Sequence, residues 1–213
     1  VGSVPNDNNA RVAEGGDPLS KNVKITQLTK GNWQVEWAKW AGEGRAIIYM
    51  STEGNTAERQ IHSIAPMTGE KLPVVTQVKG MRTSPQMDEN SGLPTLLYGF
   101  SLWNRPEDLF AQKVCPGCEA ANAPVQLTKS VLETFSKRTW TVPKFIEISS
   151  RDGKKIPAKI YLPAGHDAKK KYPMAIFVHG AGYLQNVING WNNYYREFMF
   201  NDLLAKKGYV VLD

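Results

Sequence analysis

Four consecutive residues, His179, Gly180, Ala181 and Gly182, have the composition of a loop that could bind a developing oxyanion. They follow residues 173–178, an apolar run that predicts a strand buried on both faces. Glycine lacks a Cβ, so the backbone can approach a substrate closely and its N–H groups stay accessible. Such N–H groups stabilise the oxyanion that forms when a serine attacks a carbonyl carbon. The alternative is a tight strand-to-loop turn without a catalytic part.

The nucleophile that such a loop serves does not occur in the sequence. There is no Gly-x-Ser-x-Gly, because Gly99-Phe100-Ser101 is followed by Leu102 and Trp103. No serine can therefore be paired with a general base from the residues present. We expect this chain alone to be inactive.

The two cysteines, Cys115 and Cys118, form one Cys-Pro-Gly-Cys sequence. A zinc site needs four ligands and no second pair exists, so no metal site is predicted. A redox pair would stand where a helix opens after a strand, whereas Pro116-Gly117 is typical of a turn between strands. We interpret the pair as a hairpin tip, bridged by a disulfide or free, with a metal or redox role as the alternative. A bridged pair would favour a periplasmic or secreted location over a cytoplasmic one.

The net charge of +6 is concentrated in residues 137–171. This stretch has ten basic and three acidic residues, a balance of +7, which leaves the rest of the chain at −1. The cluster could face a nucleic acid or an acidic partner, but its lysines surround turn signals and no aromatic residues are interleaved as a platform. We interpret it as a solvated rim and predict no nucleic-acid partner. The basic residues are Lys137, Arg138, Lys144, Arg151, Lys154, Lys155, Lys159, Lys169, Lys170 and Lys171.

Length and composition indicate folded domains. The 213 residues suffice for one large domain or parts of two, and six Trp, eight Tyr and seven Phe argue against wholesale disorder. The longest apolar runs, residues 174–178 and 209–212, are far shorter than the roughly 20 residues that span a bilayer, so no membrane span is predicted. Residues 1–9 lack an initiator Met and the features of a signal peptide, so we expect a fragment of a longer protein.

The first two-thirds of the chain contains a repeat. Similar segments recur around Thr29, Thr76 and Thr128, with 47 residues separating the first two and 52 the last two. Short strands bounded by Gly and Asn lie between these marks, and this period is typical of β-propeller blades. A two-sheet sandwich is the alternative. About two blades fit residues 23–143, residues 1–22 are a polar blade remnant or disordered, and further blades are expected upstream. The predicted strands are residues 34–40, 46–51, 59–64, 95–101, 109–114 and 124–127.

Residues 144–213 have a different pattern, of strands followed by a helix and a further strand. The Asp-Gly at 152–153 is a hairpin signal between two of the strands. Apolar residues at helical spacing predict a helix over 191–207, with Asn189 as its N-cap and Gly208 as its end. The predicted strands are residues 145–149, 156–162, 173–179 and 209–213. A chain that stops on a core strand predicts an incomplete domain.

Residues 144–213 resemble the opening of the catalytic domain of the prolyl oligopeptidase (S9) family of serine peptidases. The nearest members are the dipeptidyl-peptidase-IV-like and acylaminoacyl-peptidase-like ones. Residues 28–31, 33–40, 48–51, 100–101 and 105–106 resemble the last blades of that family's propeller. The matched motifs of the catalytic domain are Ser150-Arg151-Asp152-Gly153, Tyr161-Leu162-Pro163, Tyr172-Pro173, His179-Gly180-Ala181-Gly182 and Ala205-Lys206-Lys207-Gly208.

The resemblance implies a mixed fold, the end of a β-propeller followed by the first part of an α/β-hydrolase domain. It also implies a parent serine peptidase that cleaves short peptides through an acyl-enzyme, without a cofactor. The serine, aspartate and histidine would lie after Asp213. The peptide substrate is the implied partner, and a homo-oligomer is compatible with the sequence. The alternatives are a propeller-based binding protein with a degenerate hydrolase domain and an esterase or amidase on the same fold.

The family places a tyrosine side-chain donor near the oxyanion loop, where this sequence has His179. Tyr183 is close, but its register does not match that of the family's tyrosine. We expect the ring of His179 to bond loop carbonyls and the backbone to supply the oxyanion donors. His62 and His166 are interpreted as structural.

Overall fold

The computed structural model describes residues 25–88, 93–115, 123–180 and 184–213. Contacts divide the chain into two compact units, Val1–Lys30 and Gly31–Asp213. In the second unit the described residues form three four-stranded sheets and two helices. The predicted domain boundaries after residues 22 and 143 stay predictions.

The first sheet is antiparallel throughout. Its strands, in spatial and sequence order, are β1 (Val35–Ala41), β2 (Ala46–Ser51), β3 (Gln60–Ile64) and β4 (Lys71–Leu72). The turn between β1 and β2 needs glycine, because Gly42 and Gly44 have φ values of 59° and 85°. Ile48, Met50 and Ile61 are buried, so one face of this sheet enters a core.

The second sheet repeats this arrangement. Its strands, again in order and antiparallel, are β5 (Met81–Asp88), β6 (Thr95–Leu102), β7 (Arg105–Lys113) and β8 (Val125–Gln126). Leu96, Tyr98 and Phe100 alternate along β6 and join the buried residues of the first sheet in one hydrophobic cluster. The two sheets have the strand number and order expected of blades, while the propeller itself stays a prediction.

The third sheet is mixed, and a short helix, α1 (Glu133–Ser136), precedes it. Its strands, in chain order, are β9 (Lys144–Ser149), β10 (Lys155–Tyr161), β11 (Met174–Ile176) and β12 (Val210–Leu212). Their spatial order is β11-β12-β10-β9. Only the pair of β11 and β12 is parallel within the described sheet, and the helix α2 (Tyr195–Lys206) connects these two strands along the chain.

A second hydrophobic cluster holds α2 against the third sheet. Phe198 of α2 packs against Tyr161, Trp140 and Trp191, with ring centroids 6.3, 4.9 and 5.7 Å away. Trp103, between β6 and β7, lies 6.0 Å from the same ring. This aromatic cluster therefore joins the third sheet and α2 to the second sheet.

Most strands predicted from local patterns are confirmed, but β4 and β5 were not predicted. β5 is not predicted from the sequence because its pairing register shifts between Thr83 and Gln86, so its side chains do not alternate regularly. Ser84 within the shift has a φ of 47°, and Pro85 follows it. In the sequence these residues indicate a turn, although in the structure they remain within the paired strand.

Two predictions about the last third are wrong in detail. The helix begins at Tyr195 with Tyr194 as its N-cap, not at Trp191 with Asn189 as its cap. The strand after Pro173 is not buried on both faces, since Met174 is 51% and Ile176 63% exposed. Met174 and Ile176 alternate along β11 and so share one face, and that face is left uncovered by the described residues.

Candidate active-site loop

The candidate loop begins just after β11, at the carboxyl edge of the parallel pair β11 and β12. Met174, Ala175 and Ile176 pair in register with Val210, Val211 and Leu212. The N–H of Phe177 then donates to the carbonyl of Leu212 at 2.8 Å. Since parallel strands end at the same edge, His179 and Asp213 follow strand ends that lie side by side.

The imidazole of His179 is oriented by its own loop. Nδ1 lies 2.9 Å from the carbonyl oxygen of Gly180, and the ring packs against Tyr194 with centroids 5.6 Å apart. A carbonyl oxygen only accepts hydrogen bonds, so we assign the ring proton to Nδ1. In the neutral ring Nε2 is then an acceptor and cannot donate to an oxyanion. His179 makes the expected loop-carbonyl contact, which favours backbone N–H groups as oxyanion donors.

Gly180 provides room rather than an unusual backbone conformation. Its φ lies outside the left-handed region, and a Cβ built on it would meet no described atom within 4 Å. Backbone strain therefore does not explain a glycine at this position, and the close approach of a substrate stays the predicted reason for it. Ala181, Gly182 and Tyr183 lie outside the described residues, and their part in the loop stays a prediction.

Two asparagines fix the chain that follows the loop. The amide nitrogen of buried Asn186 donates to the carboxylate of Asp213. Asn192 Nδ2 donates to the side-chain and backbone oxygens of Asn186 at 2.8 and 2.9 Å. These hydrogen bonds join residue 192 back to residue 186, and they attach residue 186 to Asp213 at the end of β12.

A buried ion pair provides the anchor for these amides. Lys159 Nζ lies 3.3 Å from Asp213 Oδ2, and their side chains are 7% and 2% exposed. Asn201 of α2 donates to the same oxygen at 3.1 Å. Burial raises the pKa of Asp213 although Lys159 and Asn186 act against it, and burial lowers the pKa of Lys159. Lys159, predicted to belong to a solvated rim, is instead buried because it meets this carboxylate.

A second buried carboxylate attaches α2 to the chain before β9. Asp202 accepts from the backbone N–H of Thr141 at 2.7 Å and from Lys206 Nζ at 2.9 Å. Although burial alone would raise its pKa, these donors hold the pKa of Asp202 below its usual value. The helix that packs beside the candidate loop is therefore fixed by a charge that is fully ionised at neutral pH.

The other residues singled out in the sequence lie away from this edge. The described part of the chain contains no free cysteine, but Cys118 lies outside the described residues, so its pairing with Cys115 stays a prediction. His62 stacks on Tyr49 with centroids 5.2 Å apart, and burial lowers the pKa of His62. His166 stacks on Tyr172 at 4.8 Å. Both rings pack as structural histidines do.

Within the described ranges, no group of three or more His, Cys, Asp and Glu side chains is arranged to hold a metal ion. No helix in the same ranges has both the length and the apolarity needed to cross a bilayer.

The sequence does not predict the anchoring residues as part of a site. These residues are Lys159, Asn186, Asn192, Asn201 and Asp213. A concentration of asparagine after the glycine loop is the signal that could have pointed to some of them, because buried amides pair with charged or polar groups. Only the N-cap interpretation of Asn189 used that signal, and it was wrong.

The chain is similar in sequence to dipeptidyl peptidases. It is 24% identical over 178 residues to a protein of Aspergillus flavus named "Probable dipeptidyl peptidase 4", with 83% of this chain and 22% of that protein covered. It is 25% identical over 187 residues to dipeptidyl-peptidase 5 of Porphyromonas gingivalis, with 85% of this chain and 24% of that protein covered. No established protein-family profile matches the chain.

The fold matches as well. The crystal structure of Porphyromonas gingivalis dipeptidyl peptidase 4 has a TM-score of 0.67 to this chain at 20% identity, covering 91% of this chain and 26% of that one. The chain thus has the mostly antiparallel β fold of the corresponding part of that enzyme. The predicted resemblance to dipeptidyl-peptidase-IV-like proteins is confirmed. The chain spans 22% and 24% of the length of the two curated relatives above.

Proposed function

We propose that the full-length protein is a serine-type dipeptidyl peptidase to which this chain contributes the end of a β-propeller and the first part of an α/β-hydrolase domain. The observation that carries the proposal is the position of His179 and Gly180, just after β11, a strand that is parallel to β12. In hydrolase sheets a loop in this position supplies an oxyanion N–H. Similarity to a dipeptidyl peptidase over 83% of the chain supports the same assignment.

In the proposed reaction, a serine from another part of the protein attacks the carbonyl carbon of the scissile peptide bond. The serine proton passes to a histidine base, and the carbonyl oxygen becomes negatively charged. Backbone N–H groups of residues 179–182 stabilise that charge, and the intermediate then expels the amine, which takes the proton from the histidine. Water releases the dipeptide from the acyl-enzyme by the same steps.

The two blade sheets, in this proposal, help to restrict access to short peptides. They belong to the same compact unit as β11, so they could limit the approach to the loop. Because no Gly-x-Ser-x-Gly occurs in the 213 residues, the chain by itself is proposed to be inactive.

The test measures the turnover of two chromogenic substrates by the full-length protein and by this chain alone. A dipeptidyl peptidase cleaves an aminoacyl-proline p-nitroanilide and is labelled by a fluorophosphonate, which reacts with an activated serine. Acetyl-alanine p-nitroanilide, which has no free amino terminus, is the matched control. Preference for the free amino terminus, together with labelling, is the expected result.

Four other results would contradict the proposal. Preference for the acetylated substrate would indicate an acylaminoacyl peptidase, and turnover of esters alone would indicate an esterase. Absence of both turnover and labelling would indicate a binding protein with a degenerate hydrolase domain. Turnover by the 213-residue chain at the full-length rate would contradict the missing nucleophile.

A further inference from the structure

Residues 185–191, which we call the docking segment, lie against the blade sheets. Gln185 is the first described anchor after the candidate loop. Arg59 Nη2 donates to Gln185 Oε1 at 3.0 Å, and Gln185 Nε2 donates to the carbonyl of Thr56 at 2.8 Å. Gln185 thus accepts from one residue and donates to another, and both lie more than a hundred positions away in the sequence.

The middle of the docking segment is bonded to the same place. The backbone N–H of Asn189 donates to the carbonyl of Ala57 at 2.7 Å, and its side-chain amide donates to Glu58 Oε1 at 3.0 Å. Glu58 and Arg59 are only 5% and 8% exposed. Hydrogen bonds to charged groups shielded from water are the stronger ones. We call residues 56–59, just before β3, the β3 corner.

The end of the docking segment contacts the second sheet. The N–H of Trp191 donates to Ser101 Oγ at 3.1 Å. Gly190 lies so close to β5 that a Cβ on it would overlap the Cβ of Met81. The segment is therefore seated on both blade sheets, with no room for a larger residue at 190.

The β3 corner is itself held by hydrogen bonds of Arg59. Arg59 Nε bonds Glu36 Oε2 of β1 at 2.8 Å, and Arg59 Nη1 bonds the carbonyl of Thr56 at 3.2 Å. Its guanidinium thus uses separate N–H groups for the first sheet and for Gln185. A planar fork can make these bonds together, whereas the single ammonium group of a lysine cannot reproduce them.

We propose that the β3 corner, through Arg59 and Glu58, is a positioning element for the oxyanion loop. His179 and Gly180 follow β11, and Gln185 comes only five residues after Gly180 in the chain. A shift of Gln185 is therefore expected to displace the backbone N–H groups of His179 and Gly180. An error of about 1 Å in such donors can cost up to about 10²-fold in rate. The inference rests on the proposed function, because it assigns these residues a role in that reaction.

The test is a double-mutant cycle in the full-length protein with Arg59→Lys and Gln185→Ala. Each single change is expected to lower kcat for the aminoacyl-proline p-nitroanilide by roughly 10- to 100-fold, with KM nearly unchanged because the oxyanion contact forms only in the transition state. The double variant should be no slower than the slower single variant, because both changes break the same hydrogen bond between Arg59 and Gln185. Arg105→Lys, at an arginine paired with Asp108 in the second sheet, is the matched control and should keep the wild-type kcat.

Amide hydrogen exchange gives a readout that does not depend on activity. Residues 184–192 should exchange faster in Arg59→Lys and in Gln185→Ala than in the wild type, and not in Arg105→Lys. Faster exchange in a protein whose wild type has no turnover would support the docking contact and overturn only the proposed function. Gln185 is exposed, so Gln185→Ala keeps the test open if Arg59→Lys does not fold.

Unchanged exchange and unchanged kcat in Gln185→Ala would overturn the inference. So would a double variant whose loss equals the product of the two single losses, because that result means the residues act separately. A loss of thermal stability with wild-type kcat would show that the contact is structural only.

Discussion

Lys159 Nζ and Asp213 Oδ2 are 3.3 Å apart, and neither side chain is more than 7% exposed. The same two residues also exchange backbone hydrogen bonds of 2.6 and 2.8 Å. The pair therefore joins β10 to the end of β12 at the edge that carries the candidate loop. Asn186 attaches the chain after the loop to the same carboxylate.

Removing one member of this ion pair should lower the free energy of unfolding. Lys159→Met would leave the carboxylate of Asp213 buried without its cation, and we expect a loss of about 3–5 kcal/mol in the free energy of unfolding. Adding Asp213→Asn removes the orphaned charge and should restore part of that loss. Urea unfolding of the full-length protein, followed by tryptophan fluorescence, measures both variants. A double variant less stable than Lys159→Met would contradict the ion-pair account.

Asp108 should make stability depend on pH in the acid range. Its buried carboxylate accepts from Ser130 N–H at 2.8 Å and from Thr128 Oγ1 at 2.9 Å. These donors and Arg105 hold the pKa of Asp108 below its usual value, although burial opposes them. Because the folded state favours the ionised form, the stabilisation is present above about pH 4, near the unfolded pKa, and is lost as the pH falls through the folded one.

The variant Asp108→Asn tests this pH dependence. We expect it to lose about 2 kcal/mol at pH 7, since an amide cannot accept from all of these donors. The difference from wild type should shrink as the pH falls below the unfolded pKa, about 4, because the unfolded wild-type chain is then stabilised by taking up a proton on this carboxyl group. Thermal unfolding across that pH range provides the measurement. A difference that stays constant down to pH 3 would mean that the charge is irrelevant.

The aromatic cluster around Phe198 should dominate the attachment of α2. Phe198 is 6% exposed and touches rings from several elements. Phe198→Ala should cost about 3–5 kcal/mol, because it removes this packing and leaves a cavity. Phe198→Leu is the matched variant and should lose clearly less. Equal losses in the two variants would show that ring packing is not the source of the stability.

Cys115 and Cys118 should form a disulfide in the native protein. Trypsin cleavage after Lys113 and Lys129 gives one peptide, residues 114–129, that contains both cysteines. Without reductant, its mass should be lower by two hydrogen atoms, and blocking with iodoacetamide should label it only after reduction. Full alkylation of the unreduced protein would contradict the prediction.

Strands with local signals could be predicted from the sequence, and contacts between distant segments could not. β6 was predicted within one residue because its apolar residues alternate without interruption. β5 was missed because Ser84 and Pro85 interrupt it with a bulge that also resembles a turn. The existence of α2 was predicted from helical spacing, but its start was not.

The site shows the same division. The glycine loop has a local composition that indicates its chemistry, whereas its anchors depend on tertiary contacts. Asn189 resembles a helix cap locally, yet its partner Glu58 is 131 positions away. Lys159 belongs to a basic stretch, and only the pairing of β10 with β12 brings it to Asp213.

The most direct measurement of the central claim is kcat/KM of the full-length protein for the aminoacyl-proline p-nitroanilide in His179→Ala, Gly180→Val and Gly182→Val. We predict that the valine variants lose more than His179→Ala, because a side chain at these glycines blocks the approach of the substrate to the backbone donors. Gly180→Val should still fold, since a Cβ there meets no described atom within 4 Å. Loss of an oxyanion donor typically costs about 10²- to 10³-fold. A loss near 10³-fold in His179→Ala, with normal circular dichroism, would show that the imidazole is the donor and contradict the backbone assignment.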